Sequence, residues 1–261
     1  VGTLTALGLA VVPPLLLLWM VHRQDVFPEP PGVVWRCFLL GLATVVPVLL
    51  IGGPVYLALS AFPANPYATG LMMAFVGAAI PEEAFKFGVV RYYAARHPAF
   101  NEPMDGIVYG VAASLGFATF ENVLYAAAFQ FSIGVVLLRA VTAIPMHGLL
   151  GGVMGWFVAR WRFGPRSQRK QNLALALAVP VLLHGLYDFP LLTLKALEQA
   201  QHQPGEWESM LLVAAMGLPL AILVGMSVAI FGLVQRMRRE QLRHQARGGA
   251  EGLRPGGSAH E

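Results

Sequence analysis

The stretch LTALGLAVVPPLLLLWMV, Leu4 to Val21, holds eighteen residues without one ionisable side chain. A helix of that length crosses the roughly 30 Å hydrocarbon core of a bilayer. Further runs of the same kind follow along the chain. They raise the hydrophobic content to 56% and hold the charged content to 12%, about half that of an ordinary soluble domain. In lipid every backbone polar group must be bonded internally, which leaves helices or closed barrels. Strands alternating apolar and polar are absent, so the chain reads as an all-α polytopic membrane protein.

Seven spans are expected, over about 4–22, 33–52, 68–94, 104–130, 133–160, 171–194 and 208–235. An eighth, re-entrant segment is the alternative. The connection 53–67 carries Pro54, Pro63 and Pro66 and is expected to include a short interfacial piece. The first segment lacks a basic leading region and a small-residue cleavage site, so it reads as a retained span.

Charge placement supplies the orientation. Arg23 and Arg36 flank the first connection, Arg91 and Arg96 the third, and Arg160, Arg162, Arg166, Arg169 and Lys170 the fifth. Arg236, Arg238, Arg239, Arg243, Arg247 and Arg254 follow the last span. The intervening connections hold only Arg139, at a helix start, and Lys195. This alternation predicts the N-terminus outside and the C-terminus in the cytoplasm. The net charge of +4 therefore reports topology, and no nucleic-acid partner is expected. Residues 1–240 form the transmembrane helical domain, and 241–261 are expected to be a disordered cytoplasmic tail. The single cysteine, Cys37, lies in an apolar run and is expected to pack.

The first, second and last spans are chemically silent in their interiors; the middle four are not. Span three holds Glu82, Glu83 and Lys86; span four Glu121 beside Asn122; span five His147; span six His184 and Asp188. Glu83, Glu121, His147 and His184 each fall near the middle of their helix, although the helices alternate in direction. One shared depth on four consecutive helices predicts one buried polar site between helices three to six. An ionisable group at that depth costs roughly 2.5–3.5 kcal/mol even on lenient scales, so such groups pair or do chemistry.

Spacing within each helix agrees. Lys86 is four residues from Glu82 and three from Glu83, and His184 is four from Asp188, so each set can share a helix face. Adjacent Glu82 and Glu83 point about 100° apart, so their roles should differ. One should face a reacting water while the other holds Lys86 or another supporting group. Pro81, Pro145 and Pro180 each precede a polar group by a few residues, where a missing donor loosens the helix. The pairs Gly106/Gly110, Gly148/Gly152 and Gly151/Gly155 have the spacing that lets membrane helices approach closely. Arg139 reads as an interfacial or loop-facing group. Asp105, after Pro103 at a helix start, suits the helix dipole.

No serine, cysteine or threonine nucleophile is marked by a motif, and there is no H-E-x-x-H. Carboxylates and imidazoles around water remain. A glutamate can act as general base, with a histidine polarising a carbonyl or holding an oxyanion. Alternatively several of these groups hold one Zn²⁺ whose bound water attacks. Chains of Glu and His also serve proton- or cation-coupled transporters, but these usually show internal repeats and this chain shows none. A non-catalytic membrane scaffold is a third reading.

The motifs PEEAFKFGVV, DGIVYGVAASLGFATFENVLY, MHGLLGGVMGWF and LLHGLYDF, in this order, resemble the PrsW family of intramembrane proteases, as does DVFPEPP at Asp25–Pro31. The resemblance covers roughly residues 25–188. It implies cleavage of a membrane-spanning substrate, typically an anti-sigma factor in a stress response, within a bacterial cytoplasmic membrane. The family is similar to the CAAX-prenyl endopeptidase and bacteriocin-processing superfamily, whose pattern is a Glu pair, then F-x-x-x-H, then H-x-x-x-[ND]. In that pattern the Glu pair and first His activate water, and the last pair supports the oxyanion. Glu82 and Glu83 match the Glu pair, and His184 with Asp188 matches the last pair. Phe117-x-x-x-Glu121 departs by carrying Glu in place of His, and His147 is an addition. The resemblance thus implies catalytic roles for Glu82, Glu83, Glu121, His147, His184 and Asp188, with Lys86 and Asn122 in support. A metal, if used, would be one Zn²⁺ on Glu83, His147, His184 and Asp188.

Overall fold

In the computed structural model, residues 2–61 and 65–252 are described, and they fold as helices without a strand among them. The elements are α1 (Gly2–His22), α2 (Pro31–Ala43), α3 (Val45–Ala61), α4 (Pro66–Met72), α5 (Ile80–Gly88), α6 (Pro103–Ala128), α7 (Ile133–Val141), α8 (Ala143–Phe163), α9 (Arg169–Gln199), α10 (Glu206–Ala215) and α11 (Leu218–Gly252). Six helical runs are long and apolar enough to span a bilayer: Gly2–His22, Pro31–Leu59, Pro103–Ala128, Ile133–Phe163, Arg166–Gln199 and Glu206–Arg243. The remaining expected span is also helical, over 66–96, but it carries Glu82, Glu83, Lys86 and Arg91. Among the described residues there is no eighth run.

Prolines set the breaks. Pro47 has no N–H to offer the carbonyl of Ala43, and α2 gives way to α3 there, with the Thr44 hydroxyl donating to Gly41 O at 2.6 Å. Pro145 likewise leaves Val141 O without its partner, and the chain turns at Thr142 between α7 and α8. In contrast, α9 runs unbroken through Pro180 and Pro190. Around α5 the helix widens into π turns at Met73–Ala79 and Val89–Tyr93. Each such turn accommodates an extra residue and rotates the side chains that follow, a common device at functional sites. Where an interfacial piece was expected over 53–67, α3 extends to Ala61 and α4 begins at Pro66; residues 62–64 lie outside the described ones.

The bundle is built around α6, which is buried continuously from Met104 to Thr119. A helix apolar all round suits that central place. It packs on α8 through Gly106, Gly110, Gly151 and Gly155: a Cβ at Gly110 or Gly155 would strike the carbonyl of Gly151 or Gly106 across the interface. Gly148 and Gly152 instead meet only the side chains of Leu115, Ile230, Val111 and Ile107. On its other side α6 receives α2, where Cys37 is fully buried in the core. Large apolar side chains such as Leu50, Val228 and Phe231 face outward, as a lipid-solvated surface requires.

At the end where α1 stops and α6 starts, Asp105 caps α6 through its Oδ2, which accepts from the amides of Asn101 (2.6 Å) and Glu102 (2.7 Å). Helix α11 continues past Arg243 to Gly252, and Gln241 is buried against that same end. Residues 253–261 of the expected tail lie outside the described ones. Burial pushes the Asp25 and Glu29 carboxyls up and Glu102 to about 7, against the lowering effect of hydrogen bonds from Gln241 and Tyr109.

Candidate active site

Pro81 sits at the start of α5, directly after the π turn at Met73–Ala79, and the next two residues are Glu82 and Glu83. One turn on, the Lys86 ammonium donates to Glu83 Oε1 at 2.8 Å and to Glu82 Oε2 at 3.3 Å. The lysine therefore holds both glutamates, where the spacing predicted one. Lys86 is wholly buried, its ammonium 4.1 Å from the centroid of the Phe117 ring. The adjacency of the glutamates still separates them. Glu83 is fully buried, whereas Glu82 lines the site cavity.

Helix α8 supplies His147, whose Nδ1 lies 3.1 Å from the Lys86 ammonium and whose Nε2 lies 3.1 Å from Glu121 Oε2. An ammonium can only donate, so Nδ1 accepts and Nε2 carries the proton it gives to Glu121. From the far end of α6, Glu121 also accepts from Arg139 Nη2 at 2.5 Å, and Asn122 Oδ1 accepts from Arg139 Nε at 2.6 Å. Arg139 thus turns inward from α7, with its guanidinium 3.7 Å from the Tyr125 ring centroid. This corrects the reading of Arg139 as a loop-facing group. A helix-start position in sequence conceals that the short α7 tilts the arginine towards Glu121. The sequence signal was available: an arginine in an apolar run needs a partner.

Helix α9 brings His184, with Nδ1 2.8 Å from Glu83 Oε1 and Nε2 3.2 Å from Asp188 Oδ2. Both ring nitrogens face carboxylate oxygens, an arrangement an imidazolium satisfies by donating twice. The rings of His147 and His184 meet edge-on at 5.2 Å between centroids. All six expected catalytic residues thus lie in one connected network, together with Lys86 and Asn122. With His184 as the imidazolium, the network sets four carboxylates against three cations, Lys86, Arg139 and His184, and Lys195 also lines the cavity. Ser114 lies against Gly151, and Thr119 donates to its own helix at Leu115 O (2.7 Å), so neither is set up as a nucleophile.

The cavity enclosed by these groups measures about 360 Å³ and is also lined by Arg139, Tyr125 and Tyr187. It shares Tyr56, Gly77, Glu82, Glu121 and Tyr125 with the lining of an apolar groove of about 500 Å³ between α3 and α6. The groove wall includes Leu49 and Leu57, both largely exposed on the lipid-facing side.

Glu82, Glu83, His147 and His184 each offer a ligand atom within 4.8 Å of the others. Asp188 stands outside this group, behind the His184 ring. Two carboxylates and two imidazoles form a donor set suited to Zn²⁺, and Glu83 Oε2 is buried without a hydrogen-bond partner. The residues therefore fit a metal ion. Lys86 Nζ now lies among three of the four donors and would have to withdraw.

Comparison with known proteins agrees with this geometry. The profile of the "PrsW family intramembrane metalloprotease" matches residues 29–224. The chain is 36% identical to Protease PrsW of Oceanobacillus iheyensis over 71% of its length and 82% of that protein's. It is 34% identical to Protease PrsW of Bacillus subtilis, covering 70% of the chain and 81% of the relative. With Protease PrsW of Clostridioides difficile the identity is 30%, covering 70% and 78%. No solved structure matches the chain. On the match over most of its length, the chain belongs to the PrsW family of intramembrane proteases.

Proposed function

We propose that this protease cuts a membrane-spanning protein whose hydrophobic segment enters sideways through the groove between α3 and α6. The observation that carries this reading is that the apolar groove and the site cavity share lining residues, Glu82 and Glu121 among them. A substrate helix slid in from lipid meets an apolar wall first and the polar groups only at the reacting bond. An anti-sigma-factor-like protein with a single span is the substrate class, in regulated proteolysis at a bacterial cytoplasmic membrane. The arginine and lysine distribution supports an outside N-terminus and a cytoplasmic C-terminus.

Glu82 is the residue assigned to activate water. Its contacts are the long ones of the network, 3.3 Å to Lys86 and 3.9 Å to His184, and it lines the cavity. Glu83 and Glu121 are each tied by two short bonds to cationic or imidazole groups. Glu82 takes the proton from the attacking water and is positioned to return it to the leaving amide nitrogen. The Arg139 guanidinium faces the same space and donates to the oxyanion, while His184, whose two N–H groups are given to Glu83 and Asp188, supports it by its charge alone. Held by Glu83, His147 and His184, a Zn²⁺ ion would supply Lewis acidity and lower the pKa of water, and Glu82 would stay free as the base.

Reconstituted protein should be mixed in liposomes with a single-span substrate, and the products mapped by mass spectrometry. The expected cut lies within or at the edge of the hydrophobic segment, and a soluble peptide of the same flanking sequence is spared. Equal cleavage of the soluble peptide would remove lateral entry from the account.

A further inference from the structure

A second group of buried carboxylates lies at the other end of α6, and the catalytic network does not use it. Asp25 and Glu29 come from the connection between α1 and α2, within the DVFPEPP stretch; Asp105 comes from the first turn of α6. Their residue exposures are 5%, 4% and 0%, and each offers an oxygen within 4.8 Å of the others. Among the described residues, no lysine or arginine is ion-paired with any of them. Arg238, nearby, donates to Gln24 Oε1 instead, and His22 Nε2 bonds to the backbone carbonyl of Glu29.

The oxygens divide cleanly into used and unused. Asp105 Oδ2 takes both capping amides, and Asp25 Oδ1 takes Phe27 N at 3.1 Å and Gln241 Nε2 at 2.6 Å. Glu29 Oε2 accepts from the Tyr109 hydroxyl. Asp25 Oδ2 and Asp105 Oδ1 are buried and have no donor. A bare carboxylate oxygen out of water is costly, and native structures rarely leave one. Two such oxygens on converging carboxylates need a shared proton or a positive partner, and no lysine or arginine among the described residues supplies the second.

We propose that Asp25, Glu29 and Asp105 bind a hard divalent cation of the Mg²⁺ or Ca²⁺ class. An all-oxygen donor set favours such ions over Zn²⁺. Oxygens that all lie within 4.8 Å of one another are close enough to share one ion whose bonds are about 2.3–2.6 Å long. The cation fastens the first connection to the start of α6. Gln241, which bridges Asp25 and Glu102 from α11, extends the clamp to a third helix.

The full chain, purified in detergent and stripped of metal, is titrated with Mn²⁺ as a spin probe and melted in the presence of each ion. Mg²⁺, Ca²⁺ and Zn²⁺ serve as competitors in separate arms. One Mn²⁺ is expected per oxygen site, displaced by Mg²⁺ or Ca²⁺ and retained in His184→Ala, which disables the catalytic donor set. Glu29→Gln, which keeps an acceptor for Tyr109, and Asp25→Asn should each weaken binding about tenfold or more and abolish the cation-dependent rise in melting temperature. Should either variant fail to fold, the competition in the unaltered chain and in His184→Ala still decides. Absence of Mn²⁺ binding, displacement by Zn²⁺ alone, or loss of binding in His184→Ala would overturn the proposal. So would variants that melt higher than the parent with no cation dependence, because the carboxylates would then be sharing protons.

Discussion

At the scale of single residues, the site is a balance of buried charge. Arg139 reaches Glu121 across two helices, and removing one member of a buried pair typically costs about 3–5 kcal/mol because the other is left uncompensated. Arg139→Gln should therefore lower the melting temperature and the cleavage rate together. Adding Glu121→Gln to that variant should recover much of the stability but not the rate, as measured by thermal denaturation and substrate turnover in parallel. An additive loss of stability in the double variant would separate the two residues. The sequence exposed Glu121 by its depth and Arg139 as an arginine in need of a partner, but it did not pair them, because an ion pair between residues 18 positions apart on different helices leaves no periodic trace. The Lys86 contacts were legible, since spacings of three and four on one helix are local.

At the scale of elements, small residues decide how near the catalytic helices come. Helices α6 and α8 touch backbone to backbone at Gly106, Gly110, Gly151 and Gly155. Gly110→Val would force them apart and shift His147 relative to Lys86. It should destabilise the fold by at least the ~1–3 kcal/mol of ordinary overpacking, read as lost folded yield and a lower melting temperature. Gly8→Val, at a site with open space, should change neither. The spacing of these glycines marked the interface in advance, yet it marked Gly148 and Gly152 equally. Only the helix rotation distinguishes the pair that meets backbone from the pair that meets side chains. The π turns flanking α5 were likewise invisible, because an inserted residue in a helix has no sequence signature beyond the nearby Gly77 and Pro81. A loosened helix was expected at Pro145, where α7 gives way to α8, but no break was expected at Pro47 between α2 and α3, and α9 absorbs two prolines without breaking.

At the scale of the whole molecule, apolar length and charge alternation made the helical membrane fold legible from the first segment onward. The span carrying the glutamates is the one least apolar, which is the expected cost of placing chemistry inside a bilayer. The donor set at Glu83, His147 and His184 predicts that purified protein binds one Zn²⁺ equivalent there. Elemental analysis should find that ion reduced in His147→Ala and His184→Ala and unaffected by Glu29→Gln at the opposite end of α6. Retention of stoichiometric zinc in both histidine variants would place it elsewhere. A protease added to sealed inside-out vesicles should clip the residues following α11 if the C-terminus is cytoplasmic, and leave them intact if it is not.

The central claim is that Glu82, the loosely held carboxylate facing the cavity, activates the water that cuts the peptide bond. It is tested most directly by the single-turnover cleavage rate of Glu82→Gln on a membrane-spanning substrate, in protein shown to melt as the parent does. A loss of about 10²–10⁴-fold is expected, the usual contribution of a general base. A folded Glu82→Gln variant cleaving at the parent's rate would contradict it.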